Sequence, residues 1–297
     1  MNVENLETQL RLGVCNVGKS AWPRTKAELT LIRKAIDEGK AQGIYLGAHS
    51  DGAFTPKSLS ELSDFPDIKS LGFGAVPDSL FSGIENFKQL EDFKCEEARH
   101  FEVTALTKLE SIMFFATKDF DIGFESPRLK KLIVSKSGVS DCSFLSQYPN
   151  LECLSLIQLR KLSSLDGIDL AGKLTDFTVG YSPKLVDISA LEKCKSLTSL
   201  RLETLRNVPD FSVAFEIPTL QKLGFSKCRD LDSLKNITKL KKLEHLSIID
   251  TDVTDASLAP LLTLPALRHF GLYPNKKYFV PSASEVEKAL EGRRAKK

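Results

Sequence analysis

Apolar residues recur along this chain with one spacing, apolar-x-x-apolar-x-apolar. LECLSL from Leu151 and LTSLRL from Leu197 are clear examples. Because apolar and polar residues alternate in the second half of the motif, each copy predicts a short strand with one buried face. A weaker strand, GIYLG at 43–47, precedes the series. The ten copies begin at Ile68, Leu90, Leu109, Leu129, Leu151, Leu174, Leu197, Leu220, Leu243 and Leu267.

The copies are evenly spaced, with successive starts 19 to 24 residues apart. The segments between them also repeat, as in LVDISAL at 185–191 and VTDASLAPL at 253–261. One short strand and turn cannot bury its own apolar side, so neighbouring repeats must stack to form a continuous core. The pattern therefore predicts a repeat array over residues 44–275.

The repeat LVDISALEKCKSLTSLRL at 185–202 resembles the short leucine-rich repeats of bacterial internalin-like proteins and of a eukaryotic phosphatase-regulating subunit. The resemblance covers residues 44–275. It implies an α/β solenoid, an arc of about ten to eleven repeats with a parallel sheet on the concave face and helical caps at both ends.

That family usually has Asn or Cys three residues after the third apolar position, bonded to the backbone of the turn. In this chain the same position holds polar Ser182, Cys228 and Thr251, but apolar Leu159 and Leu205. We therefore expect some turns to lack the side-chain bond of the family.

The ends of a solenoid expose apolar edges that need caps. We predict a loop and cap helix in residues 1–43, with the helix over 25–38. Thr25 and Glu28 have the spacing of a capping box, and Gly39 follows as a helix stop. Helical spacing places three apolar residues on one face: Leu29, Ile32 and Ile36.

Residues 276–297 predict a second cap helix followed by a basic tail. Ser282 or Ser284 can cap this helix, which carries Val286 and Leu290. The tail would lie where the helix dipole favours cations, and a solvated tail is the simplest interpretation. Its charges are Arg293, Arg294, Lys296 and Lys297.

Composition narrows the class of partner. The 297 residues include 41 Lys and Arg and 39 Asp and Glu, a net charge of +2. This balance argues against nucleic acid and membrane partners. No long apolar run or secretory signal is present, so we expect a cytoplasmic protein. The six cysteines form no Cys-x-x-Cys pair and are expected to be reduced thiols.

Residues 13–20, GVCNVGKS, match the phosphate-binding pattern G-x-x-x-x-G-K-[ST]. Such a loop needs a buried strand before it and a helix that begins at the Lys. Pro23 would fall in the first turns of that helix, and the repeats leave no room for a nucleotide-binding sheet. We therefore keep a nucleotide-binding enzyme that uses Gly13–Ser20 only as an alternative.

His245 and His269 occupy equivalent positions in adjacent repeats, so their imidazoles are expected to stack on the concave face. A zinc site would need a third ligand, and Lys222 and Ser199 are poor candidates. Cys153 faces the same surface without a base beside it. We predict no metal, no cofactor and no catalytic residue.

Strand alternation identifies the residues that face the concave surface. Met113, Phe115, Ile133 and Ile157 would form an apolar patch inside a rim of mixed charge, which is the usual composition of a protein interface. A register slip of one residue would instead bury this patch. Small residues such as Gly72, Gly180, Gly224 and Gly271 either leave room for a partner or relieve crowding. The predicted partner-binding residues are Lys94, Glu96, Met113, Phe115, Lys131, Ile133, Ile157, Asp176, Arg201, Glu203, His245, His269 and Tyr273.

The leading hypothesis is a non-enzymatic scaffold, monomeric when free, that captures another protein on its concave face. One version is a bacterial immunity protein that neutralises a cognate toxin. The alternative is a regulatory subunit or adaptor for a phosphatase or GTPase. Fold alone does not decide between them.

Overall fold

The computed structural model describes residues 11–15, 18–47, 54–74, 78–96, 105–115 and 126–294. Its contacts divide the chain into an N-terminal unit, Met1–Ser137, and a C-terminal unit, Gly138–Lys297. Each unit is built from strands that pair in chain order.

The N-terminal unit begins with an antiparallel hairpin of β1 (Arg11–Cys15) and β2 (Gly18–Trp22). Helix α1 (Glu28–Asp37) follows, and each later strand pairs in parallel with the one before it. Short 3-10 helices connect some of these strands. The strands are β3 (Gly43–Leu46), β4 (Ser70–Phe73), β5 (Asp92–Cys95), β6 (Ser111–Phe115) and β7 (Lys131–Ser135), and the 3-10 helices are Leu59–Leu62, Asp78–Phe81 and Ile84–Asn86.

The C-terminal unit contains a wholly parallel set of strands and ends in helix α2 (Ala283–Arg294). One 3-10 helix follows each strand up to β12 and another precedes β8. The strands are β8 (Cys153–Ile157), β9 (Asp176–Gly180), β10 (Ser199–Glu203), β11 (Lys222–Ser226), β12 (His245–Ile249) and β13 (His269–Tyr273). The 3-10 helices are Ser143–Gln147, Ile168–Leu170, Ser189–Lys193, Ser212–Glu216, Lys235–Lys239 and Ala259–Thr263.

The predicted strand register is confirmed. Ser111 pairs with Lys131, and in the other unit His245 pairs with His269. The second and fourth residues of the strands face the core, as Phe93 and Phe114 illustrate. The predicted repeat architecture, with parallel strands and turns or short helices between them, is therefore confirmed within each unit.

Hydrogen bonds from buried hydroxyl and thiol groups stabilise the turns that follow several strands. The Ser182 hydroxyl donates to the Gly180 carbonyl (3.1 Å) and accepts the Leu159 N–H (3.3 Å) from the preceding repeat. Thr251 likewise accepts the Cys228 N–H (3.0 Å). The next repeat thus satisfies the backbone N–H at this position whether the side chain there is apolar, as in Leu159, or polar, as in Cys228.

The residue after each of β8 to β12 adopts a left-handed conformation, although none is glycine. In this conformation its N–H extends the ladder to the next strand, as Tyr181 does to the carbonyl of Glu203 (2.9 Å). This hydrogen bond thus offsets the steric cost of the left-handed conformation in a residue that has a side chain. These residues are Gln158, Tyr181, Thr204, Lys227 and Asp250.

The N-terminal cap differs from the prediction in three ways. First, Gly13–Cys15 and Gly18–Ser20 lie in the β1–β2 hairpin and not in a plain loop. Second, the expected capping box is absent from the described helix end, because Glu28 accepts the Arg24 N–H (2.8 Å) and no side chain caps the helix. Third, Ala35 is buried where Ile36 was expected, while Gly39 has the left-handed conformation of a helix stop.

The C-terminal cap forms as predicted around Ser282. Its hydroxyl and N–H both donate to Glu285 (2.7 Å each), so the capping box is Ser282 with Glu285. Val286 and Leu290 are buried. The Arg293 guanidinium donates to the Leu264 carbonyl (2.7 Å), so it belongs to the cap, whereas Lys296 and Lys297 lie outside the described residues.

Neither described helix crosses a membrane: α1 has 10 residues and α2 has 12, and neither is long and apolar enough.

Acid is expected to destabilise the turns that carry capping aspartates. Asp141 and Asp187 each accept the N–H of a following serine, Ser143 or Ser189 (2.9 Å each). Hydrogen bonding lowers the pKa of both carboxyl groups. The main cause is the Ser143 side chain for Asp141 and the Ser189 N–H for Asp187. A lowered folded-state pKa stabilises the fold above the unfolded pKa, about 3.9, and this stabilisation is lost as pH falls through the folded value.

The measurement is the urea midpoint between about pH 5 and pH 2. Asp187→Asn keeps a side-chain acceptor for the Ser189 N–H but cannot titrate. We expect its stability to fall less steeply than that of the wild type. Equal slopes would show that Asp187 does not contribute to the acid sensitivity.

Candidate functional site

The first, third and fifth residues of the strands face away from the core, and we call the surface they form the open sheet face. All thirteen predicted partner-binding residues lie at such positions. The N-terminal unit carries Lys94, Glu96, Met113, Phe115, Lys131 and Ile133, with Glu96 directly after β5. The C-terminal unit carries Ile157, Asp176, Arg201, Glu203, His245, His269 and Tyr273.

The predicted apolar residues of the N-terminal unit lie together on β6 and β7. Met113 pairs directly with Ile133, and both are half-buried. Phe115 is 39% exposed, although it is a large apolar side chain. Because Phe114 on the opposite face is fully buried, a register slip is excluded here. Ile157, the fourth member of the predicted patch, lies on β8 of the C-terminal unit and is half-buried.

Two aromatic residues that precede the ten regular copies of the motif cover part of the open sheet face, an arrangement that the sequence did not predict. Tyr45 stacks on Trp22 with ring centroids 5.0 Å apart, and its hydroxyl donates to Glu96 Oε1 (2.7 Å). Burial, together with this bond to Glu96, raises the pKa of Tyr45 well above its usual range. A Cβ on Gly72 would lie 2.2 Å from the Tyr45 ring. Gly72 therefore makes room for Tyr45 and not for a partner.

The side chains at the first positions of β4 and β5 in the N-terminal unit bond one another and Ser20, so they are not available to a partner. The Ser20 hydroxyl donates to Ser70 Oγ (3.3 Å), and the Ser70 hydroxyl donates to Asp92 Oδ2 (2.9 Å). All three residues are buried, although Ser70 and Asp92 hold first strand positions, which face away from the core. Hydrogen bonds across the sheet, from β2 past Gly43 of β3 to β4 and from β4 to β5, satisfy these groups without solvent.

In the C-terminal unit, the predicted charged residues form a local network. The Arg201 guanidinium donates to Thr178 Oγ1 (3.1 Å) and lies 3.6 Å from Asp176 Oδ1. A Cβ on Gly180 would lie 2.8 Å from the Cβ of Glu203, so this glycine relieves crowding. Around Gly271 no heavy atom lies within 4 Å of such a Cβ, so this glycine does leave open space.

The two histidines stack as the sequence predicts. The imidazole centroids of His245 and His269 are 4.4 Å apart, and the rings are 9° from parallel. Burial, and then His269 and the Lys222 ammonium, lower the pKa of His245. The pair lines a groove of about 560 Å³ that also includes Glu287 and Glu291 of α2. Tyr273, at the end of the last strand, is 63% exposed.

Within the described ranges, no three His, Cys, Asp or Glu residues lie close enough together to hold a metal ion. The five cysteines whose side chains are described are free thiols. Burial raises the pKa of the Cys194 thiol to about 11 and that of Cys142 further, so both are protonated at neutral pH.

The phosphate-loop pattern at Gly13–Ser20 lacks the geometry that phosphate binding needs. Lys19 and Ser20 are part of β2, and Lys19 pairs with Val14 across the hairpin. Phosphate binding by this motif depends on the N–H groups at the start of a helix. An extended strand does not offer that arrangement, so the structure does not support the nucleotide-binding alternative.

No protein-family model matches the chain, and no curated protein matches it in sequence. Solved structures do match. InlF, an internalin from Listeria monocytogenes, is 17% identical with a TM-score of 0.48, over 81% of this chain and 65% of that one. The functional domain of InlJ from the same organism is 16% identical with a TM-score of 0.47, over 77% and 53%.

A chain of the mouse RP105/MD-1 complex is 15% identical with a TM-score of 0.51, over 78% of this chain and 47% of that one. This chain thus spans less than two thirds of the length of all three proteins. At such identities the likeness concerns the fold. Together with the repeated strand and turn, the likeness to the RP105/MD-1 chain shows that this chain has a leucine-rich repeat fold.

Proposed function

We propose that this chain is a non-enzymatic scaffold that binds another protein through its open sheet face. The observation that carries the proposal is the apolar cluster on β6 and β7, in which exposed Phe115 lies beside half-buried Met113 and Ile133. An exposed large aromatic residue beside further apolar side chains is typical of an interaction site. Aromatic side chains also contribute much of the binding energy in protein interfaces.

The charges around this cluster favour a protein partner over a small molecule. Lys94 and Lys131 lie on β5 and β7, and both are half-buried. An apolar centre with a charged rim is the usual composition of a protein interface. We further propose that the bound protein is either a toxin, which would make this chain an immunity protein, or a phosphatase or GTPase that it regulates.

The test is a double variant, Phe115→Asp with Ile133→Asp. Its partners are captured from the native lysate beside those of the wild type, and the retained protein is then purified for a titration. We expect affinity to fall at least about 30-fold, because loss of a central hot spot typically costs about 2 kcal/mol or more. The activity of the purified partner then distinguishes toxin, phosphatase and GTPase.

The matched control is Leu170→Asp with Val186→Asp. These exposed apolar residues lie outside the strands and their open face. Circular dichroism must show that both double variants remain folded. Equal loss of affinity in the control, or full retention by the Phe115→Asp variant, would refute this location of the site.

A further inference from the structure

The groove of the C-terminal unit has walls of opposite charge. It runs over the open sheet face from β10 to β13 and is also lined by two residues of α2. Its volume of about 560 Å³ lies within the range of known ligand pockets. Helix α2 packs against β13, so its residues flank the groove on the side of the last strand.

The basic wall consists of Lys222 on β11 and Arg201 on β10. Arg201 already interacts with Asp176 and Thr178. Lys222 is exposed and, among the described residues, has no carboxylate within ion-pair distance. Its charge also reaches His245, whose pKa is lowered first by burial and then by His269 and Lys222. Lys222 is therefore the cation available to a ligand.

The acidic wall consists of Glu287 and Glu291, which are four residues apart and so share one face of α2. Both are exposed, and neither forms an ion pair within the part of the chain that the structure describes. Arg293 on the same helix is engaged with the Leu264 carbonyl (2.7 Å). Two carboxylates thus border the groove without a basic partner.

The middle of the groove is open. Gly271 on β13 has free space where a side chain would stand, whereas a Cβ on Gly224, two strands away, would lie 3.0 Å from the Ser247 hydroxyl. The stacked rings of His245 and His269 line the groove between Lys222 and α2.

We propose that this groove binds an extended segment of the protein partner with an acidic side chain and, about four residues later, a basic one. The acidic residue pairs with Lys222 and the basic residue with Glu287 and Glu291. Strands lie about 4.8 Å apart, so Lys222 is about 10 Å from β13, and α2 lies beyond. Four residues of extended chain span about 13 Å, which fits this separation. The inference rests on the proposed function, since it specifies one segment of the partner.

The test uses a defined peptide, so that no partner needs to be known. The peptide is acetylated and amidated, with Glu at its first position, Lys at its fifth, and Gly and Ser between. It is titrated into the purified chain while the imidazole signals of the histidines are followed by NMR. We expect the signals of His245 and His269 to shift.

Peptides with Gln for Glu, or Met for Lys, are expected to bind up to about fivefold more weakly, the effect of losing one exposed ion pair. Lys222→Met should weaken binding of the peptide with Glu by a similar factor and leave binding of the peptide with Gln unchanged. The double variant Glu287→Gln with Glu291→Gln should weaken binding of the peptide with Lys and leave binding of the peptide with Met unchanged. Lys242→Met, an exposed lysine outside the groove lining, is the matched control.

The proposal would be refuted if the peptide shifted neither histidine signal. It would also be refuted if Lys222→Met and the Gln peptide each weakened binding independently, so that their effects on affinity added. If free succinate shifts both histidines as strongly as the peptide, the site is one for small carboxylates and the peptide assignment is wrong. The Phe115→Asp experiment lies in the other unit. Loss of the partner there, with no peptide binding here, would refute only the groove proposal.

Discussion

Phe93→Ala is expected to lower the free energy of unfolding of the N-terminal unit by about 3–5 kcal/mol. Phe93 is fully buried at an inward position of β5. Its ring centroid lies 5.9 Å from that of Phe73, 6.4 Å from that of Phe81 and 6.1 Å from that of Phe114. Truncation to alanine removes these ring contacts and leaves a cavity that the surrounding strands can fill only in part.

Trp22, the only tryptophan of the chain, provides a probe that belongs to this unit. It stacks on Tyr45, so urea unfolding of the N-terminal unit is expected to change its fluorescence. Phe115→Ala is the matched control, because Phe115 belongs to the same unit but is partly exposed. If both variants lose equal stability, Phe93 does not have the core position described here.

Ser182→Ala is expected to lower the free energy of unfolding of the C-terminal unit by about 1–3 kcal/mol. The buried hydroxyl bonds the carbonyl of Gly180 and the N–H of Leu159 at once. Without it, the Leu159 N–H loses its partner away from water, while the Gly180 carbonyl keeps only its bond from the Gln158 N–H (2.9 Å). Since Leu159 replaces a polar residue at the equivalent position, its own repeat offers no substitute.

The loss is measured by urea unfolding followed by far-ultraviolet circular dichroism. Ser196→Ala is the control, since its hydroxyl bonds the Gly172 carbonyl (3.1 Å) but is exposed to solvent. Ser182→Cys should restore part of the stability, because Cys228 donates to the Ser226 carbonyl (3.6 Å) from the same position of its repeat. Equal stability of Ser182→Ala and the Ser196→Ala control would show that the shared hydroxyl is not important.

The repeat and its register could be predicted from sequence because both follow from periodicity. Alternation within a strand assigns Phe93 and Phe114 to the core, and the constant spacing sets each strand beside the next. Stacking of His245 on His269 follows directly from that spacing. The same reasoning places Phe115 and Ile133 on the open sheet face, although their role in binding stays a prediction.

Two features could not be predicted in this way. One lies in a segment without the repeat, and the other lies within the repeats but depends on the next strand. The β1–β2 hairpin contains a sequence that matches a phosphate loop, and only its pairing shows that Lys19 lies in a strand. The left-handed residues, such as Tyr181, carry no glycine signal, because a ladder bond from the next repeat stabilises them. Sequence patterns describe local preferences, whereas these conformations depend on a partner strand.

The sequence by itself determined the class of fold and which side chains face outward, because burial of apolar residues at a fixed period permits one register. Only the tertiary structure decided which outward residues are accessible. Tyr45 lies over Gly72 and bonds Glu96, Asp92 is buried beside Ser70, and the acidic residues of α2 border the groove of Lys222. Tyr45, the Ser20 hydroxyl that bonds Ser70, and the acidic residues of α2 lie outside the ten regular copies of the motif, so the repeat pattern does not predict their contacts.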